Sequence, residues 1–165
     1  MGHIKAKTHL EKLGFKDSDK MNADHDTIQI WTAENIREII SKTVMHNNPH
    51  DFKVRQPVWE DQVMNVNRDF KQVVGFIDLW TKIQCKLFDK EDKEWFETEI
   101  NVFIEVKTQI KSLGELIRQM RAYQAYEPRH LRNEYIIVSP DDKFQKLLNQ
   151  QGFYFHKYQD PTKLF

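Results

Sequence analysis

The chain has 165 residues, enough for one compact domain with a sizeable core. Its composition, 39% hydrophobic and 12% aromatic, excludes a disordered chain, and 25 basic residues cancel 25 acidic ones, so total charge gives no support to nucleic-acid binding. No apolar run is long enough to span a bilayer, Met1 to Lys7 lacks an apolar signal core, and the lone Cys85 fits a reducing compartment, so the expectation is a cytoplasmic protein with no membrane partner.

Residues 1–26 read as a polar N-terminal extension, with a helical turn at Leu10 to Phe15 and a loop from Lys16 to Asp26. Thr32 to Asn35 opens a helix whose apolar stripe is Ile36, Ile39, Ile40 and Val44, ending near His46 ahead of Asn47, Asn48 and Pro49. Strand patterns follow at Val58–Val66, Val73–Phe88 and Glu97–Thr108, the last two joined by the charged connection Asp89 to Glu94, which suggests an antiparallel meander. Cys85 is expected as a packing residue on the second of these strands.

Ser112 and Glu115 form a capping box. The helix it opens carries Leu113, Leu116, Ile117, Met120 and Tyr123 at helical spacing and stops before Pro128. Tyr135 to Val138 is a fully apolar strand, typical of a position covered on both faces. Pro140 starts a last helix through about Gln150, and Gly152 turns into a final edge strand, Phe153 to Phe155. The order is helix, three strands, helix, strand, helix, strand, an α/β fold with a mixed central sheet flanked by helices. It reads as a single domain with a core at 32–140 and a C-terminal helix and strand at 141–165.

Charge is unevenly spread. Residues 107–132 hold six basic residues against two acidic ones, whereas residues 89–99 hold six acidic against two basic. On the third strand of the meander, Glu105 and Lys107 project from the same side, and Asp78 lies on the strand before it. Charged groups in an apolar interior are costly without a partner, and a divalent ion offers one. Asp78 and Glu105 supply two hard carboxylate ligands for Mg²⁺ or Mn²⁺, and the Val106 carbonyl can supply a third oxygen. Lys107 stands beside them, able to orient a metal-activated water or neutralise an oxyanion. Only five glycines occur and none forms a phosphate-cradling loop, so no nucleotide cofactor is expected. His46 and His50 flank Pro49, which breaks the helix that would pair them as zinc ligands.

The segments Gly75-Phe76-Ile77-Asp78 and Phe103-Ile104-Glu105-Val106-Lys107 resemble the two motif strands of the PD-(D/E)xK nuclease superfamily. Gln119 and Tyr123, four apart on the next helix, match the Q-x-x-x-Y element of its RecB-like branch. The resemblance covers residues 32–140 and implies a restriction-endonuclease-like αβββαβ core. It further implies Gln119 against the active-site lysine or water, Tyr123 against substrate, and DNA as the partner. The proline of the family name is absent, Ile77 standing before Asp78. A further carboxylate is left open among Glu34, Glu38 and Glu60.

The reading is thus a Mg²⁺- or Mn²⁺-dependent DNA nuclease acting on ends, single strands or branched structures, from a phage or mobile element. Lys111, Arg118, Arg121, Arg129 and Arg132 are candidates for phosphate contacts. A homo-oligomer, a restriction- or resolvase-type endonuclease, and a catalytically silent nucleic-acid-binding relative all stay open.

Overall fold

The structure is a computed structural model that describes residues 23–127 and 132–163. The expected turn at Leu10 to Phe15 and the candidate Arg129 lie outside these residues. The first helix, α1 (Ala23–Glu34), begins well before Thr32 and includes residues expected as loop. Its buried stripe is His25, Ile28, Gln29 and Thr32, so three of the four are polar and the stripe escapes a search for apolar periodicity. Asn35 then interrupts the helix: its side chain donates to the Trp31 carbonyl at 2.8 Å and competes with the backbone for it. Helix α2 (Ile36–Lys42) continues with Ile36, Ile39 and Ile40 buried, and ends four residues earlier than expected. The Met45 N–H closes onto the Ile40 carbonyl at 2.9 Å.

A short strand that the sequence pattern did not reveal, β1 (Phe52–Val54), precedes the expected meander of β2 (Val58–Val66), β3 (Lys71–Asp89) and β4 (Glu94–Val106). Three residues are too few to show a period of two, and Phe52 pairs only through the distant Cys85. Both meander pairings are antiparallel, as expected. The acidic connection is a tight turn in which Asp89 Oδ1 accepts from the Glu91 and Asp92 N–H groups.

Helix α3 (Leu113–Tyr126) starts as the capping box predicts, with the Glu115 N–H donating to Ser112 Oγ at 3.3 Å. It leads into β5 (Arg132–Ser139), which runs parallel to β4 and buries Tyr135 to Ser139. Helix α4 (Gln145–Gln150) begins later than Pro140, because Asp141 and Asp142 are used in a turn: Asp141 Oδ2 accepts from the Ile110 N–H and the Asp142 carbonyl from the Gln145 N–H. Strand β6 (Tyr154–Lys157) lies parallel to β5 at the sheet edge, one residue later than expected, after a left-handed Gly152 with φ +86°. A 3₁₀ turn, Pro161–Lys163, follows.

The result is a mixed α/β fold with a six-stranded sheet ordered β1-β3-β4-β5-β6, with β2 also on β3. The helix, three strands, helix, strand order matches the core that the resemblance implies. Leu79 and Ile83 of β3, with Ile100 to Val106 of even number on β4, pack under α1 and α2. Phe103, Tyr135 and Ile137 pack under α3 and α4 on the other face. Cys85 is buried in the first cluster, where burial pushes its thiol up. No helix among the described residues is long and apolar enough to cross a membrane.

Strand β3 positions the site. Its second half pairs with β4 up to Leu79 and Ile104, and its first half pairs with β2 from Trp80 back to Lys71. Leu79 faces α1, yet Ile77, two residues away, sits in the α3 cluster. Alternation would put both on one face, so the strand turns over at Asp78.

Candidate functional site

Asp78 sits where β3 parts from β4, and Glu105 adjoins the same last rung on β4. Both are fully buried. Directly opposed side chains on such strands start with Cβ atoms about 5 Å apart. The Lys107 N–H donates across to the Val138 carbonyl at 2.9 Å, so the preceding Val106 N–H points back toward β3. There Asp78 Oδ2 takes it at 2.7 Å, in place of a ladder carbonyl. This charge-assisted bond fixes the carboxylate in the gap between the strands.

Helix α1 closes the gap from the other side. His25 Nε2 lies 3.3 Å from Asp78 Oδ2, and both side chains are buried. One turn on, Gln29 Nε2 donates both to the Asp78 carbonyl at 2.9 Å and to Glu60 Oε1 at 3.0 Å. Glu60 is held beside Asp78 by the flanking pairs Trp59–Leu79 and Asp61–Ile77, and its own φ of +50° is left-handed. Non-glycine residues in that region cost about 1–3 kcal/mol and concentrate at functional sites. Of the three glutamates left open by the sequence, Glu60 is the one brought to Asp78. Glu34 is exposed at the end of α1, and Glu38 is exposed and paired with Lys42 at 2.7 Å, whose bond and charge hold its carboxyl below the usual range.

Glu105 is held from α3. Gln119 Nε2 donates to Glu105 Oε1 at 2.9 Å, and the Lys107 ammonium lies 3.3 Å from the same oxygen with its side chain 12% exposed. Gln119 also donates to the Tyr123 hydroxyl at 2.7 Å, and that hydroxyl donates to the Phe76 carbonyl at 3.1 Å. The chain of bonds ties α3 to the β3 strand two residues before Asp78. Gly75 permits this: a Cβ there would lie 2.6 Å from Tyr123 Cε1.

Asp78, Glu105, Lys107, Gln119 and Tyr123 therefore converge, with Glu60 on the flank. Two expected contacts differ. The Gln119 amide is bonded to the carboxylate of Glu105, and Tyr123, 4% exposed, supports the strand from beneath through its bond to the Phe76 carbonyl. His25 and Gln29 escaped the sequence reading. The signal was there, a polar i, i+4 pair in register with Ile28 and Thr32, but it looks like the solvent face of a helix until its burial is seen.

The basic candidates are scattered. Lys111 is exposed just before the Ser112 cap, and Arg118 is exposed in the middle of α3. Arg121 is turned away, donating to the Gln151 carbonyl at 2.8 Å and lying over the Phe153 ring at 4.8 Å. Arg132 opens β5 in register with Ile136 and Val138, which face α1, and it pairs with Glu134 at 2.5 Å, so it stands on the opposite face from Lys107.

The donor chemistry suits Mg²⁺ or Mn²⁺. Asp78 and Glu105 offer buried oxygen ligands, and Val106, whose N–H faces Asp78, directs its carbonyl to the same side. Among the described residues no three His, Cys, Asp or Glu groups form a ready-made cage. Mg²⁺ does not require one, since it binds through one or two carboxylates and keeps several waters.

No family model matches the sequence, and no curated protein matches it. Among solved structures, the chain is similar to the crystal structure of a repair endonuclease from Pyrococcus abyssi. The two are 19% identical with a TM-score of 0.36, over 78% of this chain and 47% of the other, so the chain spans about half that protein's length.

Proposed function

We propose that the protein is a Mg²⁺- or Mn²⁺-dependent nuclease that hydrolyses phosphodiester bonds of DNA. The observation that carries the reading is the buried pair Asp78 and Glu105 beside Lys107, each fixed by a separate set of bonds. Burial of two carboxylates side by side is expensive, and a divalent ion between them offsets that cost.

In this reading Asp78, Glu105 and the Val106 carbonyl would hold the ion, with His25 and Glu60 at its margin. When bound there, the ion would supply Lewis-acid chemistry, lowering the pKa of a water and offsetting charge on the scissile phosphate. Asp78 keeps its orientation through the Val106 N–H, and Glu105 through Gln119. Lys107 reaches the same space from the solvent side, where its ammonium neutralises the non-bridging oxygen as charge builds. Lys111, exposed just before α3, and Arg118, exposed on it, lead backbone phosphates toward it.

The test is incubation of purified protein with linear, circular and single-stranded DNA in Mg²⁺ or Mn²⁺, beside Lys107→Ala. Degradation of linear or single-stranded DNA that the variant loses supports the reading. No degradation by the wild type, or equal degradation by the variant, overturns it. Circular DNA left intact assigns an enzyme acting on ends, and circular DNA cut assigns an endonuclease.

A further inference from the structure

Gln29 takes a place on α1 that an apolar side chain could fill. It is fully buried and follows the core residue Ile28. The nitrogen of its amide must face the Asp78 carbonyl, which can only accept, and the two hydrogens go to that carbonyl and to Glu60 Oε1. The oxygen, Oε1, is buried and accepts no hydrogen bond among the described residues. A methionine of similar length would fill the space without burying an unsatisfied amide oxygen. Packing alone therefore does not account for a glutamine here.

The constraint this amide supplies falls on β2. The β2–β3 register runs through Val58–Trp80 and Trp59–Leu79 and resumes at Asp61–Ile77, passing over Glu60 and Asp78. An extended residue at position 60 would have its side chain aimed by the alternation of the strand. Glu60 has φ +50°, so alternation no longer sets that aim. The bond from Gln29 supplies a constraint in its place. Glu60 Oε1 and the Asp78 carbonyl accept from one nitrogen, which keeps them within about 6 Å of each other. The Asp78 carboxylate is itself fixed by the Val106 N–H at 2.7 Å. A side chain rooted on α1 thus ties the Glu60 carboxylate to the strand that carries Asp78.

We infer that Gln29 is a positioning residue that acts through Glu60, holding its carboxylate beside Asp78 to accept a hydrogen bond from water on the divalent ion. An ion bound through two carboxylates keeps several waters, and waters in a buried site need acceptors. Partners of this kind, one step removed from the ion, change metal affinity by about tenfold to a hundredfold. The bond to the Asp78 carbonyl anchors Gln29, and the bond to Glu60 does the placing. The inference rests on the nuclease reading for the ion, and it goes beyond that reading in assigning what places Glu60.

The test is a double-mutant cycle on Mn²⁺ affinity, read from the free-ion signal in electron paramagnetic resonance. Melting curves are recorded for each protein, and DNA cleavage by the wild type is assayed in parallel. Gln29→Met should raise the Mn²⁺ dissociation constant about tenfold, as should Glu60→Gln. The double variant should match Glu60→Gln within about twofold, because no charge is left for Gln29 to place. Unchanged Mn²⁺ affinity in Gln29→Met, with or without a lower melting temperature, overturns the inference. So does a tenfold loss that persists in the Glu60→Gln background, which routes the effect through the Asp78 backbone. Glu60→Gln, on a half-buried side chain, carries the test if Gln29→Met fails to fold: unchanged Mn²⁺ affinity there overturns the inference too. Cleavage by the wild type beside any of these results leaves the nuclease reading standing. The expected Mn²⁺ pattern with no wild-type cleavage overturns the nuclease reading and leaves the placement of Glu60.

Discussion

Replacing Gly75 by alanine probes the link between the β3 strand and helix α3. The added Cβ would lie 2.6 Å from Tyr123 Cε1 and 3.2 Å from its hydroxyl. Carbon atoms in contact prefer about 3.5 Å or more, so the ring must retreat by about 1 Å. Tyr123 is 4% exposed and packed against Val63, Ile77 and Met120, which leaves it little room. Overpacking of this kind costs about 1–3 kcal/mol, which lowers the melting temperature by roughly 3–10 °C in a chain of this size. The retreating hydroxyl also gives up its bonds with Gln119 and the Phe76 carbonyl, so cleavage should fall by about tenfold as Glu105 loosens. Thermal melts of Gly75→Ala, Tyr123→Leu and the double variant decide the matter. With the ring gone, the added methyl should cost under about 0.5 kcal/mol. A wild-type melting temperature for Gly75→Ala, or a penalty undiminished beside Tyr123→Leu, would refute the reasoning.

Three further outcomes are expected. Gln119→Ala should lower the cleavage rate by about tenfold with little change in melting temperature, because the half-buried amide holds Glu105 without carrying core packing. Steady-state rates on linear DNA check this, and an unchanged rate contradicts it. His25→Gln should raise the Mn²⁺ concentration for half-maximal cleavage by about tenfold, since the imidazole lies against Asp78. A metal titration of activity that overlays the wild type speaks against His25 at the site margin. Asp141→Asn should destabilise at pH 7 and become neutral in strong acid. Burial pushes the Asp141 carboxyl up, but the Ile110 N–H, the Lys143 bonds and the Lys143 charge outweigh it and leave the carboxyl below its ordinary 3.8. A lowered native value means stabilisation that is complete above about pH 4 and is lost as the pH falls through the native value. Melting temperatures of both proteins from neutral pH to about pH 2.5 should converge at the acid end. A constant difference contradicts the assignment.

Much of this architecture was legible because local signals agreed with the final packing. Glu105 and Lys107 flank a residue of a strand that is apolar on both sides, so their facing followed from alternation alone. The Ser112 cap marked the start of α3, and its spacing put Gln119 and Tyr123 on one face. What stayed hidden depends on contacts distant in sequence. Gln29 reaches Glu60 and Asp78 across 31 and 49 residues, and no local pattern encodes that choice over Glu34 or Glu38. The start of α1 was hidden because its buried side carries the polar His25, Gln29 and Thr32, which break the apolar periodicity that marks a helix. Arg121 and Arg132 lie in a basic stretch that reads as one surface. Packing turns one onto Phe153 and the other to the far face of the sheet. Linear charge density therefore located α3 as basic without showing which cations face the site.

The central claim is that the buried pair of Asp78 and Glu105 binds a divalent cation, and the most direct measurement is Mn²⁺ uptake by electron paramagnetic resonance of the free ion. Wild-type protein should take up about one Mn²⁺ or more per chain, Asp78→Asn should take up none at the same site, and Lys107→Ala should retain uptake. No uptake by the wild type, or equal uptake by Asp78→Asn, would contradict the account.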